Sequence, residues 1–353
     1  MSIFLLPLAV LCLVGIRFSG KDFRADYCAP RATACINGVF TVLVLMHHVI
    51  TSGAYNGGGL LDEIFSRYIH LSQLIVVPFL FFSGYGIAES IKNKPGYLKK
   101  MPKNRLLTTW LHLVLALVPY FMMNLCFSEE MTVWQVLFST IGWDSLGNSN
   151  WFMFVIFALY MLVMLGYAVC REKPVSSAIL TTVLTCGLTV ALIAAGKESH
   201  WWNTAIFFPL GIWFSLLRPA IEKIIQKNNI VYWICFALSA VLFAGTHFLF
   251  CKTNKVIVFM ADGAFMMAFI LIGLMKFKIE NAVLFWLGKN LFGIYILQRL
   301  PMRFIEHFGW QINPYIYTLL IFAIALLLAF VFGKLTGIID RKLLKKGAAK
   351  AGK

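Results

Sequence analysis

Long apolar runs, broken at regular intervals by short polar loops, make up most of this chain. Ten of them are long enough, or nearly so, to cross about 30 Å of hydrocarbon as helices. They lie at 34–52, 69–90, 106–127, 148–170, 177–195, 201–217, 229–250, 256–276, 282–300 and 312–337. An eleventh run, 2–16, has no basic leader and no small-residue cleavage site. It does not read as a signal peptide, and a further membrane span is expected there rather than an interfacial helix. No internal repeat or low-complexity linker is visible. The pattern predicts an all-α polytopic bundle over 34–337, preceded by a hydrophobic segment and basic loop at 1–33 and followed by a basic tail at 338–353.

Composition agrees. Of 353 residues, 60% are hydrophobic and 13% charged, and the mean hydropathy is +0.80. A soluble domain cannot cover that much apolar surface. The net charge of +16 would suit nucleic acid, but no zinc spacing or folded basic domain accompanies it. Its distribution explains it better. Loops at alternate ends of the expected spans carry 24 Lys and Arg on one side and 6 on the other. By the positive-inside rule the first side, with the C-terminal tail, is cytoplasmic. The eight cysteines form no CxxC pair and no metal spacing. Cys126 and Cys251 both fall near the outer face, where a disulfide is open but has no argument in its favour.

Against this background the polar residues inside apolar runs stand out. His47 and His48 end the run from Val39 to Ile50. Asn37 lies eleven residues before His48, so the two share a helix face about 16 Å apart along the axis. Thr41 and Ser52 fall close to the same line, and His47 points about 100° away. His48 reads either as a general base in a water-filled cavity or as an interhelical hydrogen-bonding group. Phe81 to Gly86, with Ser83 and Tyr85, offers small residues for close helix approach or for a broken helix lining a cavity. The loop from Lys92 through Lys103 to Arg105 could hold donor phosphates, or serve topology and lipid headgroups. Asn148 to Phe152, with Trp151, reads as a sugar-facing rim or as a helix cap with an interfacial tryptophan. Leu287 to Arg299 includes Lys289, Tyr295 and Gln298, and Asp262 stands alone in its span and needs a partner or a cavity.

In order and spacing these stretches resemble the acyltransferase 3 family of bacterial inner-membrane proteins. That family's first core helix carries an arginine and glycine and then a histidine; here the register gives Asn37-Gly38 and His48. Phe81 to Gly86 is similar to its Ser-Gly-Tyr stretch, Lys99 to Arg105 to its basic loop, Trp151-Phe152 to the opening of its fourth core helix, and Leu287 to Gln298 to its ninth. The resemblance implies transfer of an acyl group, usually acetyl, from cytoplasmic acyl-CoA to a hydroxyl of an envelope glycan or lipid-linked sugar. No permanently bound cofactor is implied. His48 would be the base, with Asn37, Lys103 and Arg105 on the donor side. His47, Ser83, Tyr85, Trp151, Tyr295 and Gln298 would line the cavity or acceptor site. Two departures are plain: Asn37 replaces the usual arginine, and Gln298 the usual histidine. The rival reading is a transporter or flippase of a lipid-linked glycan, with Asp262, His48 and His112 forming its path; a third is a non-catalytic partner in envelope assembly.

Overall fold

The computed structural model describes residues 2–64 and 71–342. Arg67, the start of the expected 69–90 span and tail residues 343–353 lie outside the described residues. Apolar runs fold as helices because an unpaired backbone amide is costly in hydrocarbon, and a helix pairs its amides within one segment. In chain order the helices are α1 (Leu5–Leu13), α2 (Pro30–Ile50), α3 (Leu60–Ile64), α4 (Val77–Asn93), α5 (Tyr97–Met101), α6 (Thr108–Cys126), α7 (Val133–Ser139) and α8 (Trp151–Val169). They continue as α9 (Pro174–Ala194), α10 (Phe207–Ile225), α11 (Asn229–Thr253), α12 (Val256–Leu274), α13 (Ala282–Lys289), α14 (Leu291–Leu297), α15 (Arg299–His307) and α16 (Pro314–Lys342). A π-helical turn, Pro102–Leu107, joins α5 to α6.

Among the described residues, eight helices are long and apolar enough to cross a membrane. The chain is therefore an all-α, multi-pass membrane protein. Two of the ten expected spans differ from the prediction. The expected 201–217 span begins only at Phe207, and α10 extends to Ile225 through Arg218, Glu222 and Lys223. The expected 282–300 span is three short helices, α13 to α15. Side-chain amides sit at both breaks: Asn290 donates to the Trp286 carbonyl at 2.9 Å and Gln298 to the Tyr295 carbonyl at 3.0 Å. Such local bonds satisfy backbone groups freed when a helix is interrupted. The expected extra span at 2–16 also differs. Its helix α1 has nine residues, about 14 Å of rise, roughly half the hydrocarbon thickness. Asn281 holds it by donating to the Leu11 carbonyl at 2.7 Å, and Phe4 packs near Tyr315.

Contacts between helix ends assign them to two faces. A two-stranded ribbon pairs β1 (Arg17–Phe18) antiparallel with β2 (Phe277–Lys278), with Arg17 opposite Lys278. Buried Arg24 binds the Leu274 and Phe277 carbonyls and Glu280, and fully buried Lys276 donates to the Gly20 carbonyl at 2.6 Å. Arg218 reaches the Ala25 carbonyl, and His112 near the start of α6 meets Asp340 near the end of α16 at 3.1 Å. The loops rich in Lys and Arg thus gather at one basic end. At the opposite end Tyr317 donates to Ser52 at 2.7 Å, and Arg303 pairs with Glu129.

Small residues set two close helix pairs. A Cβ on Gly84 would lie 2.0 Å from the Phe208 carbonyl oxygen, and one on Gly211 2.0 Å from that of Phe81. Between α2 and α13, a Cβ on Gly38 would lie 2.1 Å from the Leu284 oxygen, and one on Gly288 1.8 Å from that of Ala34. Helix association within lipid gains from such close backbone approach, because burial of apolar side chains supplies little drive there. The second pair fixes α2, and with it His48, against the broken α13–α14 segment. Cys126 and Cys251 are both free.

Candidate active site

His48 lies in the last turn of α2, at the end of the bundle opposite the basic loops. Its Nε2 faces the Ser149 hydroxyl at 3.5 Å. Ser149 is nearly fully buried although it belongs to a loop, and the loop's own bonds account for this. Ser145 donates to the Asn148 carbonyl at 2.7 Å, and the Asn148 side chain accepts from the Leu146 amide at 3.1 Å. Gly147 adopts a left-handed φ of 101°. The Arg303 guanidinium closes over it, donating to the Leu146 carbonyl at 2.7 Å and to Asn124 Oδ1 at 2.8 Å. The loop is thus clamped between α6 and α15, and the clamp delivers Ser149 to His48.

Tyr295 completes the centre. Its ring lies 6.4 Å from the imidazole of His48 and 5.5 Å from Phe152. Its hydroxyl is buried beside Ser149 and the Phe152 backbone, but completes no hydrogen bond of ordinary geometry. A buried hydroxyl without a partner is costly, and such groups point to a ligand or to catalysis. Arg299 is exposed and close enough to His48, Tyr295 and Tyr120 to act on all three electrostatically. The arrangement offers a proton acceptor, a free hydroxyl donor and a fixed positive charge around one point.

A second cluster forms nearer the basic end. Arg105, in the π-helical turn, donates through Nε to the Tyr97 hydroxyl at 3.0 Å and lies within reach of Tyr160. Tyr160 in turn shares a hydrogen bond with Ser83 at 3.1 Å. Wide turns of this kind recur at functional sites because they re-aim a side chain without ending the helix. Lys103 is exposed in the same turn. The cluster therefore joins a guanidinium and three hydroxyls.

The other predicted residues separate. Ser83 belongs to the Arg105 cluster through Tyr160, and not to the His48 centre. Tyr85 accepts from Arg218 at 2.8 Å at the basic end, so it does not line the His48 centre. Trp151 packs against His200 with ring centroids 5.5 Å apart, and its neighbour Phe152 faces Tyr295 instead. Asn37 is half-buried with an unsatisfied Oδ1, a turn or more from the basic end of α2. Gln298 is fully buried and its Oε1 is unsatisfied too. The His47 ring stands 5.6 Å from that of His48. The polar stripe does not persist: Thr41 donates back to the Asn37 carbonyl at 2.7 Å, and Ser52 is taken by Tyr317. The three residues of the transport reading also lie in separate clusters. His48 faces Ser149, His112 faces Asp340, and Asp262 faces His247. Sequence reasoning missed Ser149, Phe152 and Tyr160 as site residues. Ser149 lay within a noted polar cluster, whereas Tyr160 carried no signal.

A family model described as an acyltransferase domain (Acyl_transf_3) matches residues 35–334, which span α2 to α16 and contain both clusters. No curated protein and no solved structure matches the chain. Members of the matched family transfer acyl groups other than amino-acyl groups, and the chain belongs to this acyltransferase 3 family.

Proposed function

We propose that the protein moves an acyl group, acetyl by preference, from acyl-CoA at the basic end to a hydroxyl of an envelope glycan or lipid-linked sugar. The excess of Lys and Arg supports a basic end, and with it the C-terminus, on the cytoplasmic side, and the family match supports placing the protein in a bacterial inner membrane. The observation that carries the reading is His48 Nε2 facing a hydroxyl, Ser149 Oγ, at 3.5 Å within a bundle of apolar helices. In this reading Ser149 stands where the acceptor hydroxyl binds. His48 takes that hydroxyl's proton as its oxygen attacks the thioester carbonyl. The carbon–sulfur bond breaks, and the leaving thiolate takes the proton from the imidazolium. The Tyr295 hydroxyl and the Arg299 charge face the developing oxyanion, which a preorganised donor in a dry site stabilises strongly. Arg105, Lys103 and Asn37 lie toward the basic end, where the donor's phosphates would enter. The thioester then extends about 16 Å along α2 from Asn37 to reach His48.

The test compares envelope glycan from a strain lacking the gene with the same strain carrying the wild-type gene. Mass spectrometry should find an ester-sized mass, removed by hydroxylamine, only with the gene present; no such mass would reject the proposal. Two variants sharpen it. Ser149→Ala should retain activity within about ten-fold, since it removes one neutral hydrogen bond. Abolished activity would make Ser149 itself the acyl carrier. Arg105→Lys should raise the KM for the acyl-CoA donor about ten-fold with little change in kcat, because an ammonium cannot reproduce the guanidinium fork. Initial rates in proteoliposomes would measure this, and an unchanged KM would remove Arg105 from the donor path.

A further inference from the structure

One apolar cavity lies along the helix that carries His48, and neither polar cluster uses it. It measures about 360 Å³, within the range of small-ligand pockets. Residues of α1, α2, α13, α14 and α16 wall it. The α2 wall is Thr41, Val42 and Leu45. Thr41 follows Asn37 by one turn, and His48 follows Leu45 by one turn. The cavity therefore occupies the stretch of α2 between the donor end and the acceptor. Ile294, which precedes Tyr295 in α14, lines it too. Apart from Thr41 and Trp286 its side chains are pure hydrocarbon, and the Thr41 hydroxyl is turned back onto the Asn37 carbonyl at 2.7 Å. Such a lining offers almost nothing to a polar ligand.

Lipid tails fill grooves on any membrane bundle, and Val283 and Leu319 are exposed at the edge of this one. A lipid slot, however, needs no roof. Here α1 covers the cavity with Pro7, Leu8 and Leu11, and Leu8 is buried. This nine-residue helix precedes residues 35–334, which the acyltransferase domain matches. The floor beneath it, Thr41, Leu45, Leu287 and Ile294, is buried. It belongs to α2 and to the α13–α14 segment, which carry His48 and Tyr295.

We infer that this cavity takes the hydrocarbon chain of the acyl donor, so that the protein transfers medium-chain acyl groups such as octanoyl as well as acetyl. The inference rests on the His48 reading. The thioester lies at His48, CoA runs toward the basic end along Asn37, and the chain folds back beside Leu45 into the cavity. From Thr41 to His48 the helix rises about 10 Å, and an extended octanoyl chain has that length. The bonds made and broken are those of acetyl transfer. The acceptor oxygen joins the acyl carbon, the thioester carbon–sulfur bond breaks, and the CoA thiolate leaves with the proton from His48. An acetyl group leaves the cavity empty, whereas octanoyl buries its methylenes there.

The experiment uses the full chain in proteoliposomes, with the acceptor glycan and either acetyl-CoA or octanoyl-CoA. Octanoyl-CoA should be used with a kcat/KM within about ten-fold of that for acetyl-CoA. Leu8→Trp and Leu326→Trp fill the cavity from two different walls, α1 and α16, and neither residue belongs to the polar clusters. Each should lower octanoyl transfer about ten-fold and leave acetyl transfer unchanged, which also shows that the fold is intact. A second readout needs no transfer. Octanoyl-CoA with a diazirine at the chain end should label peptides of α1 or α16 on photolysis. Plain octanoyl-CoA should compete for the label, and both tryptophan variants should lose it. The inference is overturned if the wild type transfers acetyl but not octanoyl, or if the tryptophan variants transfer both groups as the wild type does. It is also overturned if octanoyl-CoA cannot compete for the label, because the cavity is then a lipid slot. Competed labelling without transfer of either group would uphold the chain site and overturn the His48 reading instead.

Discussion

His48→Gln should lower acyl transfer by about 10²- to 10⁴-fold, the usual contribution of a positioned general base. Glutamine is the informative replacement. Its amide can still bond Ser149, so the loop clamped by Arg303 and the last turn of α2 keep their contacts, while no proton acceptor of suitable basicity remains. The loss should fall on kcat, with the KM for the donor little changed, because His48 lies about 16 Å from Asn37 and the donor end. Release of free thiol from acyl-CoA in proteoliposomes, with the acceptor glycan enclosed or added, would measure both constants. A loss smaller than about five-fold would mean that His48 is a packing histidine. The transport reading predicts a different outcome: glycan distribution across the membrane would change while no ester formed on any variant.

Much of the architecture follows from features visible in the chain. Apolar runs of sufficient length and the alternation of basic loops foretell helices entering and leaving at two faces, and contacts such as Arg17 with Lys278 and His112 with Asp340 bring the expected loops together. His48 was legible because an ionisable group in an apolar run is costly enough to need a reason. The break of the expected 282–300 span was less visible. It depends on Asn290 and Gln298 turning their amides back on their own helix, which hydrophobic periodicity does not register. The site itself assembles from distant segments. Ser149 reaches His48 only because Arg303, from another helix, pins the loop around Gly147. A one-residue rotation decides that Phe152 rather than Trp151 faces Tyr295. Thr41 and Ser52 share a line with His48 on an ideal helix, yet one bonds its own backbone and the other meets Tyr317 after the helix has ended. Asp262 announced a missing partner, but not that His247 would stand beside it.

Gly288→Ala should be among the most destabilising single-methyl changes in this chain, and it tests what positions the helix that carries His48. The added Cβ would sit 1.8 Å from the Ala34 carbonyl oxygen and 2.7 Å from its carbon. These are backbone atoms of α2, so no side chain can swing aside; the helices must separate. Separation opens the reciprocal contact at Gly38 and shifts α2 relative to α14, which carries Tyr295. Overpacking of this kind costs about 3 kcal/mol, enough to lower the melting temperature by about 5 °C. The reference is Gly245→Ala in α11, where a Cβ would meet nothing within 4 Å. There alanine should be neutral or slightly stabilising, since it favours the helix by up to about 1 kcal/mol over glycine. Thermal unfolding of both variants in the same detergent would compare them directly. Equal melting temperatures would show that the α2–α13 contact yields easily and that glycine at 288 is not what sets the distance between His48 and Tyr295. If Gly288→Ala melts early, activity should fall in step with the displacement of α2. It should recover in part in the double variant only if a second substitution restores the approach of the two backbones.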